Sequence, residues 1–366
     1  MKEISLVNLK KEYSFLKHEM QPAVLNVIKS GRFILDKELD EFEKKFADYC
    51  GSRRCVGVAS GTAALHLALL AAGIKGGDEV ITTAMSFNAT PEAIVMAGAT
   101  PIFVDVLPDN LSIDHLKIEK AITKKTKAIL PVHLYGTPAN MDEIVEISKK
   151  YKLKLIEDCA QAHGATYKGK QVGTFGDIGC FSFMPSKNIG CYGDAGCVIT
   201  NNHEYADKVI KLRNHGRASR YIHGEMGYGE RMDNLQAAVL LVKLKHLDQW
   251  NKKRNAIAKL YDNGLDGSKI GLLKISPDSY SSYYVYTVLV ENRDKLAVLL
   301  KGRGIATGVY YPVPLHLQPV FKKLGYKKGD LPIVEKSANQ ILSLPMNPFL
   351  TEPEIKYIIN EFNKYV

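Results

Sequence analysis

The feature that most constrains the fold of this chain is a regular alternation of strand-like and helical segments between residues 56 and 158. Apolar runs of strand length occupy residues 56–59, 79–83, 101–106, 128–133 and 154–158. Helical segments separate them, at residues 61–72, 91–98, 112–121 and 141–149. Strands joined through helices predict a mainly parallel sheet covered on both faces, and therefore an α/β fold. Two further strands are predicted near residues 178–183 and 196–200.

The chain is long enough for more than one domain. Its 366 residues indicate one large domain and one smaller one. Residues 1–45 are predicted to be largely helical, and an amphipathic helix is predicted over residues 233–250. An α+β segment follows, with a strand at residues 283–290 and a C-terminal helix at residues 352–365. We therefore predict a large domain over residues 1–250 and a small C-terminal α+β domain over residues 251–366.

Charge and hydropathy exclude several classes of protein. The net charge is +10, but the lysines occur as scattered pairs without interleaved aromatic residues. This distribution predicts a solvated surface rather than a nucleic-acid site, and a basic bias also suits an anionic small substrate. The longest apolar stretch, residues 61–74, is too short to span a bilayer, and the N-terminus lacks the apolar core of a signal peptide. We expect a cytoplasmic protein with no membrane partner.

The six cysteines indicate a reducing compartment. They lie at positions 50, 55, 159, 180, 191 and 197, with no C-x-x-C spacing and no zinc pattern. Most of them belong to apolar runs. We therefore expect buried free thiols and no metal site.

Lys187 is the residue that most directly suggests a chemistry. It follows a predicted strand, on a loop rich in glycine. A lysine in such a loop can lie in a dry pocket, where desolvation lowers its pKa and frees the amine to attack carbonyl groups. Its natural partner is the aldehyde of pyridoxal phosphate (PLP), bound as a Schiff base. A lone lysine is more often a solvated surface group, so the assignment depends on three further segments.

The first of these segments predicts a phosphate site. Residues 60–65 (Ser-Gly-Thr-Ala-Ala-Leu) join a strand to a helix. Gly61 lets a ligand approach the backbone, the helix N-terminus offers free N–H groups, and Thr62 adds a hydroxyl. Ser182 could add a second hydroxyl. The alternative is that Ser60 is an ordinary helix N-cap.

The second and third segments predict groups that face the cofactor ring. Asp158 ends a mostly apolar strand, where a carboxylate can pair with the protonated pyridine nitrogen of PLP. Gln161 could bond the ring 3-hydroxyl, and Phe87, which follows another strand, could stack on the ring. The alternatives are a helix N-cap for Asp158, a structural role for the neighbouring His163, and an exposed or core aromatic for Phe87.

The order of these groups along the chain is more specific than any one of them. A phosphate loop, a stacking aromatic, Asp-x-x-Gln, a serine and the lysine each lie at the end of a predicted strand. No G-x-G-x-x-G follows a strand and no P-loop is present, which disfavours a Rossmann cofactor site.

In this combination the chain resembles the DegT/DnrJ/EryC1/StrS family of sugar aminotransferases, which are PLP enzymes of fold type I. The resemblance extends from about Gly31 to the C-terminus. It rests on residues 30–34, 60–65, 131–136, 157–164, 181–187, 231–238 and 311–316. It implies a large domain with a mainly parallel sheet that binds PLP, and a smaller C-terminal domain.

The resemblance also implies a role for each residue singled out above. Lys187 is expected to form the Schiff base and later to move a proton, and Asp158 to pair with the pyridine nitrogen. Gln161 is expected to contact the 3-hydroxyl, and Phe87 to stack on the ring. The phosphate is expected to be held by Gly61, Thr62 and Ser182.

A homodimer with shared active sites is a further implication of the resemblance. Residues 227–231, which end at Arg231, would reach into the partner's site. Gly229 stands where members usually have an asparagine that contacts the partner's cofactor phosphate, and a backbone amide or a water is the alternative donor. Asp36 stands where the family often has glycine. A dehydratase branch has histidine in place of the lysine, so Lys187 favours transamination.

The resemblance predicts transfer of an amino group from L-glutamate to a keto sugar. Residues 235–244 are more similar to the branch that acts on nucleotide-linked 3-keto sugars than to the 4-keto branch, with amino-sugar or surface-polysaccharide synthesis as the setting. His316, Tyr311 and Arg217 are candidate substrate contacts, with a structural role as the alternative for His316. The alternative functions are amination of a keto-inositol, sugar dehydration, and non-catalytic regulation, which the Lys187–Asp158 pair argues against.

Overall fold

The computed structural model describes residues 3–366 of the chain. Its strands, numbered along the chain, are β1 (Arg54–Val58), β2 (Glu79–Thr83), β3 (Thr100–Val104), β4 (Thr126–Leu130), β5 (Lys154–Asp158), β6 (Thr166–Tyr167), β7 (Lys170–Gln171), β8 (Ile178–Ser182), β9 (Gly196–Thr200), β10 (Gly271–Leu272), β11 (Ser279–Tyr280), β12 (Tyr286–Leu289) and β13 (Ile341–Leu344). Its α-helices are α1 (Leu9–Ser30), α2 (Lys37–Cys50), α3 (Gly61–Ala71), α4 (Ala89–Met96), α5 (His115–Ala121), α6 (Met141–Tyr151), α7 (His203–Arg213), α8 (Asn234–Leu244), α9 (Leu247–Gly264), α10 (Arg293–Gly302), α11 (Pro332–Gln340) and α12 (Glu352–Tyr365). Short 3-10 helices lie at Leu134–Gly136, Leu315–Leu317 and Pro319–Leu324. Within the described range, no helix is both long and apolar enough to cross a membrane.

The central sheet has seven strands in the order β1-β9-β8-β5-β4-β2-β3. The pairs β2–β3, β2–β4, β4–β5 and β5–β8 are parallel, whereas β9 pairs antiparallel with both β1 and β8. The mainly parallel sheet predicted from the sequence is therefore confirmed. Because parallel strands end at one edge of a sheet, the segments that follow β1, β2, β5 and β8 meet there.

Helices cover both faces of this sheet. Successive side chains along a strand point to opposite faces, so each face carries apolar groups that helices bury. Val80 and Ile81 are neighbours in β2 but belong to different apolar clusters. The cluster with Val80 includes α3, α4 and α7, and the cluster with Ile81 includes α5 and α6. On the latter face, Phe181 of β8 packs against α2, with its ring centroid 5.1 Å from that of Phe46.

The C-terminal part of the chain has an apolar core of its own. Strands β10, β12 and β13 form an antiparallel sheet that packs against α9, α10 and α12. Strand β12 is shorter than the predicted strand at residues 283–290, because the φ angle of 43° at Tyr283 interrupts the extended backbone. The predicted domain boundary near residue 250 falls inside α9, and the division into domains stays a prediction.

One helix prediction needs correction. Residues 233–250 do not form a single helix: α8 ends at Leu244 and α9 begins at Leu247. The amide of His246 bonds the carbonyl of Lys243 at 2.9 Å and so closes a tight turn between them. The turn contains no glycine or proline, and the apolar period continues across it. The usual sequence signals of a helix end are therefore missing.

Strand β5 ends in two adjacent buried carboxylates that point to opposite faces of the sheet, and Glu157 is the one that organises the fold. Its two oxygens accept hydrogen bonds from the amides of residues 173, 175 and 176 at 2.7 to 2.8 Å, and from His133 Nε2 at 3.0 Å. His133 Nδ1 accepts the amide of Ala139 at 3.1 Å, so the imidazole proton lies on Nε2 and is donated to Glu157. Glu157 thereby joins two loops to the sheet, the one after β4 and the one between β7 and β8.

This bonding also bears on metal binding. Ligand atoms of His133, Glu157 and Cys159 lie within 4.8 Å of one another. However, both imidazole nitrogens and both carboxylate oxygens are already engaged by protein groups. We therefore regard this group as a structural network.

We predict that Glu157→Gln destabilises the cofactor-free protein by about 2 to 4 kcal/mol, because an amide NH₂ would face backbone N–H donors in a site closed to water. The measurement is the shift of the denaturant midpoint. The control is Glu119→Gln, which removes a carboxylate from a solvent-exposed ion pair with Lys150. Equal shifts in the two variants would contradict the role of Glu157.

Candidate active site

A cavity of about 480 Å³ lies at the carboxyl edge of the sheet, between the loops that follow β1, β2, β5 and β8. Its volume is typical of small-molecule sites. Eight of the residues singled out in the sequence line it: Gly61, Thr62, Phe87, Asp158, Gln161, Ser182, Lys187 and Tyr311. The fold therefore brings together groups that are up to 250 residues apart in the chain (residues 61 and 311).

One end of the cavity is the N-terminus of α3. The amides of Gly61 and Thr62 precede the first intrahelical bond, from Ala64 to Ser60 at 3.0 Å, and stay available to an anion. A Cβ atom at Gly61 would lie 2.5 Å from Cβ of Ser182, so only glycine permits this close approach. Ser60 does cap the helix, through a bond from Ala63 N at 3.0 Å. The N-cap and the anion site are therefore compatible.

Asp158 is buried, and its partners in the protein are neutral. Oδ2 accepts a bond from the hydroxyl of Thr90 at 2.8 Å, and Oδ1 accepts one from the amide of Ala160 at 3.1 Å. Burial raises the pKa of this carboxyl, against the opposing effect of the two hydrogen bonds and of the charge on Lys187. A cationic ligand group beside Asp158 would reverse that cost.

The side chain of Gln161 has a fixed orientation. Its Oε1 accepts the amide of Tyr135 at 2.8 Å, and its Nε2 donates to the hydroxyl of Tyr311 at 3.3 Å. Burial raises the pKa of Tyr311, so its hydroxyl stays protonated. The two side chains form a polar wall that can offer hydrogen bonds to a ligand.

Lys187 is half-buried, and aromatic residues surround its end of the cavity. Its Nζ lies 4.3 Å from the ring centroid of Tyr284, whose hydroxyl bonds Ser186 at 3.0 Å. Phe87 is 56% exposed, and its ring centroid lies 5.8 Å from that of Tyr311. Phe87 therefore lies at the open side of the cavity, where a ligand ring could stack on it.

Other candidate residues lie away from the cavity. His316 is buried and its Nε2 bonds Glu335 at 3.1 Å. Arg217 is exposed and donates to the carbonyl of Arg220 at 3.0 Å. His163 is enclosed by Phe181 and Phe183, and burial lowers its pKa to about 3, so it is neutral.

The two predicted partner-loop residues are also outside the cavity of their own chain. Arg231 bonds Asn214 Oδ1 at 3.4 Å and contacts His215 Nε2 at 3.3 Å. A Cβ atom at Gly229 would lie 3.2 Å from Cε1 of His215, so the imidazole occupies the space beside this glycine. Asp36, the other departure from the family pattern, caps α2 through the amide of Lys37 at 2.8 Å.

Sequence reasoning missed six polar or aromatic residues of the cavity: Ser86, Thr90, Ser186, Asp194, Tyr284 and Tyr310. Thr90 follows the same strand end as Phe87, so a search of that loop for hydroxyl groups could have found it. Tyr284 and Tyr310 come from the C-terminal part of the chain, where no strand end of the central sheet marked them.

Comparison with known proteins identifies the family. The sequence profile of the DegT/DnrJ/EryC1/StrS aminotransferase family matches residues 15–363. The chain belongs to this family.

Similar proteins extend over the whole chain. The chain is 45% identical over 366 residues to a "Pleiotropic regulatory protein" of Geobacillus stearothermophilus, covering 99% of this chain and 98% of that protein. It is 43% identical to a dTDP-3-amino-3,4,6-trideoxy-alpha-D-glucose transaminase of Streptomyces venezuelae, covering 99% and 96%. The crystal structure of S. venezuelae DesV with a ketimine intermediate matches with a TM-score of 0.98 at 43% identity, covering 100% and 99%.

The chain is therefore a PLP-dependent aminotransferase, as the sequence predicted. Its residues fit this cofactor: free helix-terminal amides suit a phosphate, and a buried carboxylate suits a pyridinium. The amine of Lys187 lies within the same cavity. PLP supplies an aldehyde for covalent attachment and a ring that accepts electrons.

We predict that Asp158→Asn separates stability from activity in this aminotransferase. An asparagine can accept the amide of Ala160 and donate to Thr90, whose hydroxyl can turn to Ser86 Oγ at 2.8 Å. Without a carboxylate to stabilise the pyridinium, turnover should fall by about a hundredfold or more. The cofactor-free variant should be at least as stable as the wild type at pH 8.

The raised pKa of Asp158 also determines how the stability difference between the wild type and Asp158→Asn changes with pH. Because burial raises the pKa of Asp158 in the folded protein, its favourable contribution is present at low pH and is lost as pH rises through that pKa. The stability advantage of Asp158→Asn should therefore shrink between pH 8 and pH 4. Denaturant unfolding of both cofactor-free proteins checks this, and an advantage that grows on acidification would contradict it.

Proposed function

We propose that this enzyme transfers an amino group from L-glutamate to a nucleotide-linked 3-keto sugar, as a step in amino-sugar synthesis for a surface polysaccharide. The observation that carries the proposal is the joint placement of Lys187, Asp158 and the α3 N-terminus around one cavity. The choice of sugar is supported by the 43% identity to a transaminase that forms a 3-amino sugar, and by residues 235–244. Lys187, which stands where a dehydratase branch has histidine, favours transamination over dehydration.

In this proposal Lys187 first binds the cofactor aldehyde. The Lys187 amine would hold PLP covalently and, once the amino donor has released it, would act as the base that takes the proton from the donor's α-carbon. The ring of Tyr284, 4.3 Å away, keeps the amine at the cavity wall. Asp158, held by Thr90 and Ala160, stabilises the ring cation.

The remaining cavity residues bind and orient. Gly61, Thr62 and Ser182 hold the phosphate, Gln161 contacts the 3-hydroxyl, and Phe87 stacks on the ring. Tyr311 is our candidate for a substrate contact. The burial of His316 against Glu335 supports its structural alternative.

Charge supports a second copy of the chain at each site. In residues 3–366, Lys187 is the only cationic side chain that lines the cavity, and Asp158 and Asp194 are its acids. A cofactor phosphate, a glutamate carboxylate and a nucleotide diphosphate need more positive charge than this. Exposed cations lie on the loop of residues 214–231, at Arg217 and Arg220. We propose a homodimer in which this loop, with Gly229 and Arg231, enters the partner's site.

The same loop also carries exposed apolar side chains. Tyr221, Ile222 and Met226 are 79%, 64% and 88% exposed in the single chain, and contact with a partner would bury them. The six buried free cysteines support the cytoplasm as the location.

A regulatory role is the second candidate, because one relative bears the name of a regulatory protein. Non-catalytic regulation would not require a lysine and a buried carboxylate in one cavity. Keto-inositol amination and sugar dehydration are tested by the same substrate panel as the main proposal.

The test of the donor half-reaction is the visible spectrum of the PLP-loaded protein before and after L-glutamate. We expect the band of covalently bound cofactor to bleach, and a 3-keto nucleotide sugar to restore it with formation of a 3-amino product. Lys187→Ala should lose the band and lower turnover about a thousandfold or more, whereas the exposed control Lys252→Ala should keep both. A band that glutamate leaves unchanged would contradict the donor, and amination at C4 would contradict the sugar.

A mixed-dimer experiment tests the shared site. Lys187→Ala and Arg217→Ala homodimers should both be nearly inactive. If Arg217 acts in the partner's site, mixing the two chains restores one intact site per mixed dimer, or about a quarter of the wild-type activity. The control mixture contains Lys187→Ala and the double variant Lys187→Ala/Arg217→Ala. Activity no higher in the test mixture than in this control would contradict action across the interface.

A further inference from the structure

One face of helix α8 carries two side chains that hydrogen-bond the backbone of the loop after Lys187. Gln236 and Lys243 are seven residues apart, about two helical turns, and therefore lie on the same face. Gln236 accepts the amide of Tyr192 at 2.9 Å and donates to its carbonyl at 3.3 Å. Lys243 donates to the carbonyl of Gly190. Two backbone positions of the loop are thus fixed to α8 by side chains that do not line the cavity.

Lys243 is a fully buried cation. Its Nζ lies 2.5 Å from Oε1 of Glu12 on helix α1, and 4.6 Å from the ring centroid of Tyr192. Burying an ion pair costs so much desolvation that apolar side chains of similar size often stabilise a fold equally well. Stability alone therefore gives no reason for a charge at this position, whereas a bond to a carbonyl of the loop requires a donor.

The geometry of the loop connects Gly190 to Lys187. A Cβ atom at Gly190 would lie 2.4 Å from the carbonyl oxygen of Pro185, so residues 185–190 fold back tightly on themselves. The amide of Lys187 bonds the carbonyl of Met184 at 2.9 Å inside this turn. Fixing the carbonyl of Gly190 therefore restricts the backbone from which the Lys187 side chain extends.

We propose that Lys243 is a positioning residue for Lys187, with Glu12 as its counter-ion and Gln236 as a second anchor of the same loop. The inference rests on the proposed role of Lys187. The step it affects is covalent attachment, in which the Lys187 amine forms a carbon–nitrogen double bond with the aldehyde of PLP and one water is released. A loop released from α8 presents the amine in fewer productive orientations, so attachment slows.

The test compares cofactor-free variants in two measurements: thermal stability, and the rate of PLP attachment followed by visible absorption. Lys243→Met leaves Glu12 buried and unpaired, and should lower the melting temperature and slow attachment about tenfold or more. The double variant Lys243→Met/Glu12→Gln removes both charges. It should recover most of the melting temperature but stay slow in attachment. The control is Lys245→Met, which changes an exposed lysine in the turn between α8 and α9.

A purely structural role predicts a different pattern. Recovery of both stability and attachment rate in the double variant would overturn the inference, as would a wild-type attachment rate in Lys243→Met. If Lys243→Met does not fold, Gln236→Leu tests the same loop without burying a charge, and an unchanged attachment rate there would also overturn it. Failure of the wild-type protein to attach PLP contradicts the proposed function instead, so the two failures are distinguishable.

A second measurement is the rate of amide hydrogen exchange in the cofactor-free proteins. Residues 184–195 should exchange faster in the double variant than in the wild type, while α8 itself keeps its protection. Unchanged exchange in that segment would contradict the proposed anchor, whatever the effect on activity.

Discussion

The end of strand β5 is the point on which both the fold and the site depend. Glu157 and Asp158 are adjacent, and the pleat of the strand sends their carboxylates to opposite faces of the sheet. The protein satisfies Glu157 with four hydrogen bonds from two loops. Asp158 receives only two, from a hydroxyl and an amide, and burial raises its pKa. One carboxylate thus stabilises the scaffold, and the other keeps an unmet preference for positive charge that a pyridinium ring can satisfy.

This division of roles explains how a cofactor site can be rigid although burial of one of its carboxylates lowers the stability of the folded protein. Glu157 fixes the loop after β4, in which the amide of His133 also bonds the carbonyl of Asp158 at 3.0 Å, so Asp158 does not have to organise this part of its surroundings. The stability lost by burying Asp158 is recovered when a cationic group binds beside it, because binding to the folded state alone stabilises that state. The same reasoning applies to the N-terminus of α3, where the amides of Gly61 and Thr62 have no intrahelical acceptor.

Much of this arrangement could be predicted from the sequence, because parallel strands end at a common edge. The predicted bounds of β2 and β5 agree with the structure to the residue. The carboxyl ends of β1, β2, β5 and β8, with the segments that follow them, supply seven of the eight predicted residues that line the cavity. What could not be predicted depends on contacts between distant parts of the chain. Tyr284 and Tyr310 reach the cavity only through packing of the C-terminal part on the sheet. The break between α8 and α9 has neither glycine nor proline to mark it. His316 is a histidine in a proline-rich segment whether it faces a substrate or, as here, Glu335.

The helix that anchors the Lys187 loop contains residues 235–244, the segment from which a 3-keto sugar is predicted in preference to a 4-keto sugar. Its polar positions, Gln236 and Lys243, contact the backbone of residues 190–192 and do not line the cavity. Any effect of these two side chains on the cavity therefore acts through the backbone of residues 190–192. The ring carbon that receives the proton is the one joined to the transferred nitrogen, so the keto position is chosen when the sugar binds and not by the lysine. The contacts of helix α8 with residues 190–192 therefore bear on the orientation of the Lys187 amine, whereas the keto position depends on how the sugar lies in the site.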